Sequence, residues 1–172
     1  TAKVQLSGNP FTPIQKLFLG IGWKRLIRLP KTGSGDGGGI TAEDFVRELS
    51  PNLPEIKSKL EGKILMLDGA SIHSSKHTTD WLATHGIRTL VGWPAHSPDL
   101  NPIENWWSLM SRGIAPYTQD DLSASDENRD KLWELMKIEA RMTTDEVVRN
   151  LVMSFPSRLQ KCIAAEGDCT EY

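Results

Sequence analysis

No acidic residue occurs before Asp36 in this chain of 172 residues, although the first 35 residues carry six lysines and arginines. The other 14 of the 20 basic residues share the rest of the chain with all 22 acids, so the net charge of -2 hides a basic amino-terminal end. That end is the part best suited to touch phosphate. Cysteine is scarce: Cys162 and Cys169 form no CxxC pair and have no second cluster to complete a tetrahedral zinc site. They read as free thiols of a reducing compartment, with a local disulfide as the alternative. No run approaches the roughly 18 apolar residues of a membrane span, and no charged-then-apolar leader opens the chain. A soluble, intracellular protein is expected. The first residue is Thr1 and not Met, which suggests that something upstream was removed or is not included.

Repeats are absent, and so is a phosphate-binding glycine fingerprint. Thr32 to Gly39 holds five glycines but lacks the Lys-Ser/Thr ending of a phosphate loop, and it reads as a plain loop. What remains, 24% charged and 38% hydrophobic residues, is ordinary for one globular core with a small appendage.

Val4 to Leu6 makes a short extended piece, and Lys16 to Trp23 and Arg25 to Leu29 are apolar-rich runs separated by a short gap. They predict an antiparallel hairpin turning around Gly22 to Lys24. Thr41 is placed to cap a helix whose Phe45, Val46 and Leu49 share one face, with Pro51 as its stop. Lys63 to Asp68 is an apolar run ending in an acid, as a buried strand reads when it delivers a polar residue at its carboxyl end. A helix over Ser74 to His85, closed by Gly86, leads to a strand over Ile87 to Val91. This βαβ pattern predicts two parallel neighbouring strands in an α/β domain. A Pro-punctuated loop then enters a helix with Glu104 in its first turn. After a polar linker over 116–126, helices are predicted over Asn128 to Arg141, from Thr144, and over Pro156 to Ala165.

Two acids, Asp68 on a strand end and Glu104 on a helix start, can thus be aimed at one point. Hard cations such as Mg2+ or Mn2+ prefer oxygen ligands and keep waters for substrate phosphates. Two such ions about 4 Å apart can activate a water or 3′ hydroxyl and stabilise the departing oxygen of a phosphodiester. Two acids hold two ions poorly, so a third is expected.

Leu67-Asp-Gly-Ala-Ser-Ile-His73 and Trp93-Pro-Ala-His-Ser-Pro-Asp-Leu-Asn-Pro-Ile-Glu-Asn-Trp106 resemble the mariner-like group of DDE transposases, with 35 residues between the acids. Ser154-Phe-Pro-Ser-Arg158 and the closing Gly167 to Tyr172 are similar to that family's carboxyl-terminal helix and tail. The resemblance implies a ribonuclease H-like mixed sheet with flanking helices and a helical C-terminal tail. Residues 1–115 would form the core, its first strand missing or degenerate, and 116–172 a helical extension packing on it. It also implies that three acids bind two divalent ions, Mg2+ or Mn2+, to cut and join DNA strands.

By position Asp68 is the family's second acid and Glu104 its third, both catalytic and metal-binding. His73 matches a family histidine that supports the site, and Asn101 and Asn105 are supporting candidates. Gly69 stands where the family commonly has Asn. The first acid is not found: either its strand lies upstream of Thr1, or Val4 to Leu6 fills it with Gln5 or Ser7. The family's helix-turn-helix DNA-reading region is likewise not found.

An alternative therefore stands beside the transposase reading. It is a domesticated, inactive derivative, needing no cofactor and serving as a binding or structural subunit of a protein or nucleoprotein assembly. The family implies a nuclear location and a possible oligomer, and domestication would admit an organelle.

Lys24, Arg25, Arg28 and Lys31 can line a nucleic-acid groove or simply face water as alternate strand residues, and the two readings stay equal. Arg112 and Arg158 can meet phosphate or pair with the acidic helix near Asp130. Asp99 and Asn101 read as turn and cap residues making local hydrogen bonds. Trp106 and Trp107 read as core or interface.

Overall fold

The computed structural model describes residues 15–20, 23–29, 40–94, 97–117 and 126–171. The Val4 to Leu6 strand, the hairpin turn residues 21–22, the glycine-rich loop, Lys31 and most of the 116–126 linker lie outside them.

Strands β1 (Gln15–Gly20) and β2 (Trp23–Arg28) form an antiparallel pair in which Gly20 faces Trp23 and Gln15 faces Arg28. This register makes the connection two residues long. Trp23 and Lys24, expected in the turn, are strand residues instead, because the ladder runs to the very end of both strands. Along β2 the side chains alternate. Ile27 is buried in one apolar cluster, whereas its neighbour Leu26 packs against another.

The first cluster gathers Ile27, Phe45, Val46, Leu49, Ile56, Leu82 and Ile87, with Leu65 and Leu67 packed on it. Its helices are α1 (Ala42–Leu49), α2 (Leu53–Leu60), α3 (Ser71–Ser74) and α4 (Lys76–Thr84). A capping box starts α1: Thr41 Oγ1 accepts from the Asp44 N–H at 3.1 Å, and Asp44 Oδ2 accepts from the Thr41 N–H at 3.2 Å. The Thr41 hydroxyl, which donates to Asp44 Oδ2 at 2.9 Å, and then the Thr41 N–H, aided by Arg47 at 2.6 Å, hold the Asp44 carboxyl below its usual range. Pro51 ends α1 as expected, but a second helix, α2, begins two residues later with Pro54 in its first turn.

The second cluster is built by α5 (Pro102–Ile114) and α6 (Asp126–Met142). Trp106, Met110 and Ile114 recur every four residues on α5, as Leu132, Met136 and Ala140 do on α6, so two apolar stripes meet. Burying each large side chain stabilises the fold by about 1.5–3 kcal/mol before entropy is counted. Trp106 Nε1–H is satisfied by Thr143 Oγ1 at 3.0 Å. Helix α7 (Asp145–Met153), capped by Thr144, packs on the hairpin and on α5, and α8 (Phe155–Ala164) follows it.

Between these layers the parallel pairing is short. Leu65 N–H donates to Arg88 O at 2.8 Å and Leu65 O accepts from the Leu90 N–H at 2.9 Å, a parallel bridge opposite Thr89. The expected strands over 63–68 and 87–91 reduce to this bridge, and among the described residues it is not joined to the hairpin. Lys63 to Asp68 has the pattern of a buried strand, yet its Ile64 is exposed, as is Val91 in the second run, and neither gains burial from a longer ladder. No helix of the described residues is long and apolar enough to cross a membrane.

Candidate metal centre

Asp68 follows directly from the bridged run. Leu65 and Leu67 are half-buried against the first cluster, and three residues after the bridge the chain delivers the Asp68 carboxylate to an exposed position. Its Oδ1 accepts from the Ala70 N–H at 3.1 Å and meets His73 Nδ1 at 2.5 Å. The first bond turns the chain into α3, and the second fixes the carboxylate's rotation.

His73 is itself buried, its ring tilted against Phe45 with centroids 4.9 Å apart. Its Nε2 is buried without a hydrogen-bond partner. A hydrogen there would be a buried donor left unmade, so the geometry assigns the proton to Nδ1, which donates to Asp68. His73 thus stands behind the acid and not in front of it.

Glu104 lies in the first turn of α5. Asn101 caps that helix, its Oδ1 accepting from the Ile103 N–H at 3.4 Å, and Pro102 supplies a preset first helical residue. Burial, and after it the negative charge of Asp68, push the Glu104 carboxyl above the usual 4.5. A helix amino terminus acts in the opposite sense, so burial and the like charge prevail. The charge of one acid thus bears on the other, although 35 residues separate them in sequence.

Such a pair fits a hard divalent cation: both donors are oxygens, and a dication would relieve their mutual repulsion. Among the described residues no group of three His, Cys, Asp or Glu side chains is placed to hold an ion, so the expected third acid is not located there. Gly69 has open space around the position a Cβ would take, so the Asn common in the family would meet no clash.

Asn105 points its amide elsewhere, Oδ1 accepting from Arg158 Nη2 at 2.6 Å. Arg158, expected to meet phosphate or the helix near Asp130, is instead only 1% exposed, and it is Arg28 that bonds Asp130. Asp99, expected to bond locally, accepts from the N–H and Oγ1 of Thr170 at 2.9 and 3.0 Å. Nothing near Asp99 in sequence signals a partner so distant.

The basic strand is occupied by the protein's own acceptors. Lys24 Nζ donates to Thr143 O at 2.5 Å and lies 3.6 Å from Asp145. Arg25 donates to Asn52 Oδ1 at 3.0 Å and lies 3.5 Å from Glu55. The Arg28 guanidinium, besides Asp130, sits 5.9 Å from the Trp133 ring. Arg112 is exposed on the last turn of α5. A groove of about 250 Å³ between β2 and α6 brings Lys24 and Arg25 together with Lys137 and Arg141 above Trp106. The latter two were not singled out from sequence, although both sit on the α6 face that adjoins its apolar stripe.

The model of the DDE superfamily endonuclease family matches residues 37–123. The Tc1 transposase of Caenorhabditis elegans is 29% identical over 111 residues, covering 64% of this chain and 38% of the transposase. The chain thus spans well under half the length of that relative. A solved structure of the Mos1 transposase catalytic domain with raltegravir and magnesium superposes with a TM-score of 0.63 at 20% identity, covering 87% of this chain and 71% of that one. The Mos1 paired-end complex with manganese gives 0.61 at 21% identity, covering 99% of this chain and 48% of that one. These likenesses carry the fold: the ribonuclease H-like fold of that catalytic domain, with the short strand pairing described above.

Proposed function

Since the chain belongs to the DDE superfamily endonuclease family, we propose that it is a divalent-metal-dependent domain that cleaves and joins DNA strands, with Asp68 and Glu104 as two of its metal-binding acids. The observation that carries this reading is the match of that family's model to residues 37–123, which include Asp68, His73 and Glu104; the upward push on the Glu104 carboxyl, from burial first and the Asp68 charge second, accords with a pair of oxygen donors that a dication would stabilise. Magnesium or manganese, held by Asp68 and Glu104, would supply Lewis acidity toward a phosphodiester oxygen and lower the pKa of a water or 3′ hydroxyl.

The chain's own residues set up that chemistry. His73, donating from Nδ1, keeps the Asp68 carboxylate in one rotamer, as the outer partner of a metal ligand does. Asn101 fixes the first turn of α5, which carries Glu104. Half-burial of Glu104 limits the water around its carboxylate and strengthens its attraction for a cation. Arg141 of the groove, with Arg112 and Lys31, is the candidate for a phosphate backbone, whereas Lys24, Arg25, Arg28 and Lys137 would have to exchange their present acceptors for phosphate oxygens. The magnesium and manganese in the Mos1 structures and the paired-end assembly of that transposase support the choice of metal and of DNA as partner.

Nicking of supercoiled DNA tests the reading. Mn2+-dependent nicking is expected from the full-length protein, with Asp68→Asn or Glu104→Gln lowering it at least ~100-fold, roughly the loss when a principal electrostatic group is removed from an active site. Nicking that survives both changes contradicts the assignment. If nothing is cut and the protein copurifies stoichiometrically with other subunits, the non-catalytic subunit reading replaces it.

A further inference from the structure

Asp68 and Glu104 are anchored differently. Asp68 is held from within its own turn by Ala70 and His73. The chain on either side of Glu104, at Asp99 and Asn105, is held, beyond the helix cap, by a segment about 50 residues further on. Arg158 of α8 is 1% exposed and spreads its guanidinium over three elements. Nε donates to Ser154 Oγ at 2.8 Å, Nη1 to the Asp99 carbonyl at 2.7 Å and Nη2 to Asn105 Oδ1 at 2.6 Å. Asn105 is the residue after Glu104, and Asp99 lies in the turn that leads into α5.

Two further contacts grip the same loop. Thr170 donates twice to the Asp99 carboxylate, and the rings of Trp93 and Phe155 stack with centroids 6.2 Å apart. The approach to Glu104 is thus fixed from both sides by residues 154–170.

We propose that this C-terminal segment is the positioning device of the acidic site: Arg158, through Asn105 and the Asp99 carbonyl, sets where Glu104 stands relative to Asp68. Arg158 and Asn105 are positioning residues in this scheme and touch neither metal nor substrate. Only a planar fork reaches three acceptors in different directions at once, so lysine, though equally charged, cannot replace arginine here. The inference rests on the reading of Glu104 as a metal ligand, and its consequence is that the acidic site is assembled only when the C-terminal helix is docked.

The test compares the full-length protein with Arg158→Lys, Asn105→Leu and Asn105→Asp by two readouts. The first is the carboxylate carbon resonances of Glu104 and Asp68 in the metal-free protein. The second is Mn2+ affinity by calorimetry, well below each variant's melting temperature. Arg158→Lys and Asn105→Leu are expected to shift or broaden the Glu104 resonance, to leave Asp68 in place and to weaken Mn2+ by ~10-fold or more, the usual loss for an outer partner of a metal ligand. Asn105→Asp retains the acceptor for Arg158 and is expected to keep the Mn2+ affinity nearer the wild-type value than Asn105→Leu does. An unmoved Glu104 resonance in a folded variant overturns the proposal, even where its melting temperature falls. Should Arg158→Lys not fold, Asn105→Leu decides alone. Wild-type protein that binds no Mn2+ refutes the metal-site reading, and the Glu104 resonance then still decides whether the clamp exists.

Discussion

At the scale of single residues the site depends on what stands behind the acids. His73 donates to Asp68 from one nitrogen and leaves the other buried with no partner, an arrangement that costs stability whatever use the Nδ1 bond has. His73→Phe removes both features and keeps a ring against Phe45. Its stability is expected to change by no more than about 1 kcal/mol, the lost hydrogen bond being offset by relief of the orphaned nitrogen. Mn2+ affinity is expected to fall by roughly 10- to 100-fold. Chemical denaturation and calorimetry read the two effects separately, and a loss of stability without a loss of affinity would mark His73 as a packing residue only. The histidine was legible in the sequence through its resemblance to a family motif. Its unsatisfied nitrogen was not, since that depends on Phe45 from a distant helix.

Among elements, what the sequence made readable was what is local. Thr41, Asn101 and Thr144 each cap the helix that follows within three residues, so the capping hydroxyl or amide and the helix it starts lie side by side in the chain. Helix α2 is not among the expected elements because Pro51 reads as a stop, which hides the signal that Pro54 gives for a first helical turn. The strands over 63–68 and 87–91 were read from hydrophobic runs, which do not reveal that pairing among the described residues narrows to Leu65 and Thr89. Arg158 and Asp99 show the same limit. An arginine and an aspartate are expected at the surface, and only the docking of α8 and the tail turns them into interior contacts.

The Asp99–Thr170 contact between loop and tail has a pH signature. Backbone and hydroxyl donation from Thr170 lower the Asp99 carboxyl below the usual 3.8. A group with a depressed folded pKa contributes stability that is present above 3.8 and is lost as pH falls through the folded value. Wild-type protein is therefore expected to exceed Asp99→Asn in stability at neutral pH, with the gap closing below pH 3.8. Urea titrations across that range measure it, and a gap independent of pH contradicts the latch.

For the whole molecule, strand β2 separates two apolar clusters, with Ile27 on one side and Leu26 on the other. Asp68 rises from the layer of Phe45 and Leu82, and Glu104 from the layer of Trp106 and Met136. Neither layer alone holds both acids, so their convergence is a property of the assembled fold. This also explains why the sequence could name them and not their relation: only the packing of both layers on the hairpin sets burial of Glu104 and the reach of Asp68's charge. A metal site shared by Asp68 and Glu104 depends on that convergence. Calorimetric titration of the full-length protein with Mn2+ tests it most directly. Binding is expected at neutral pH, weakening as pH falls toward the Glu104 carboxyl's raised pKa, at a higher pH than the usual 4.5 would give. Asp68→Asn and Glu104→Gln should each abolish it, whereas Mn2+ binding that either variant retains at wild-type affinity would contradict a shared site.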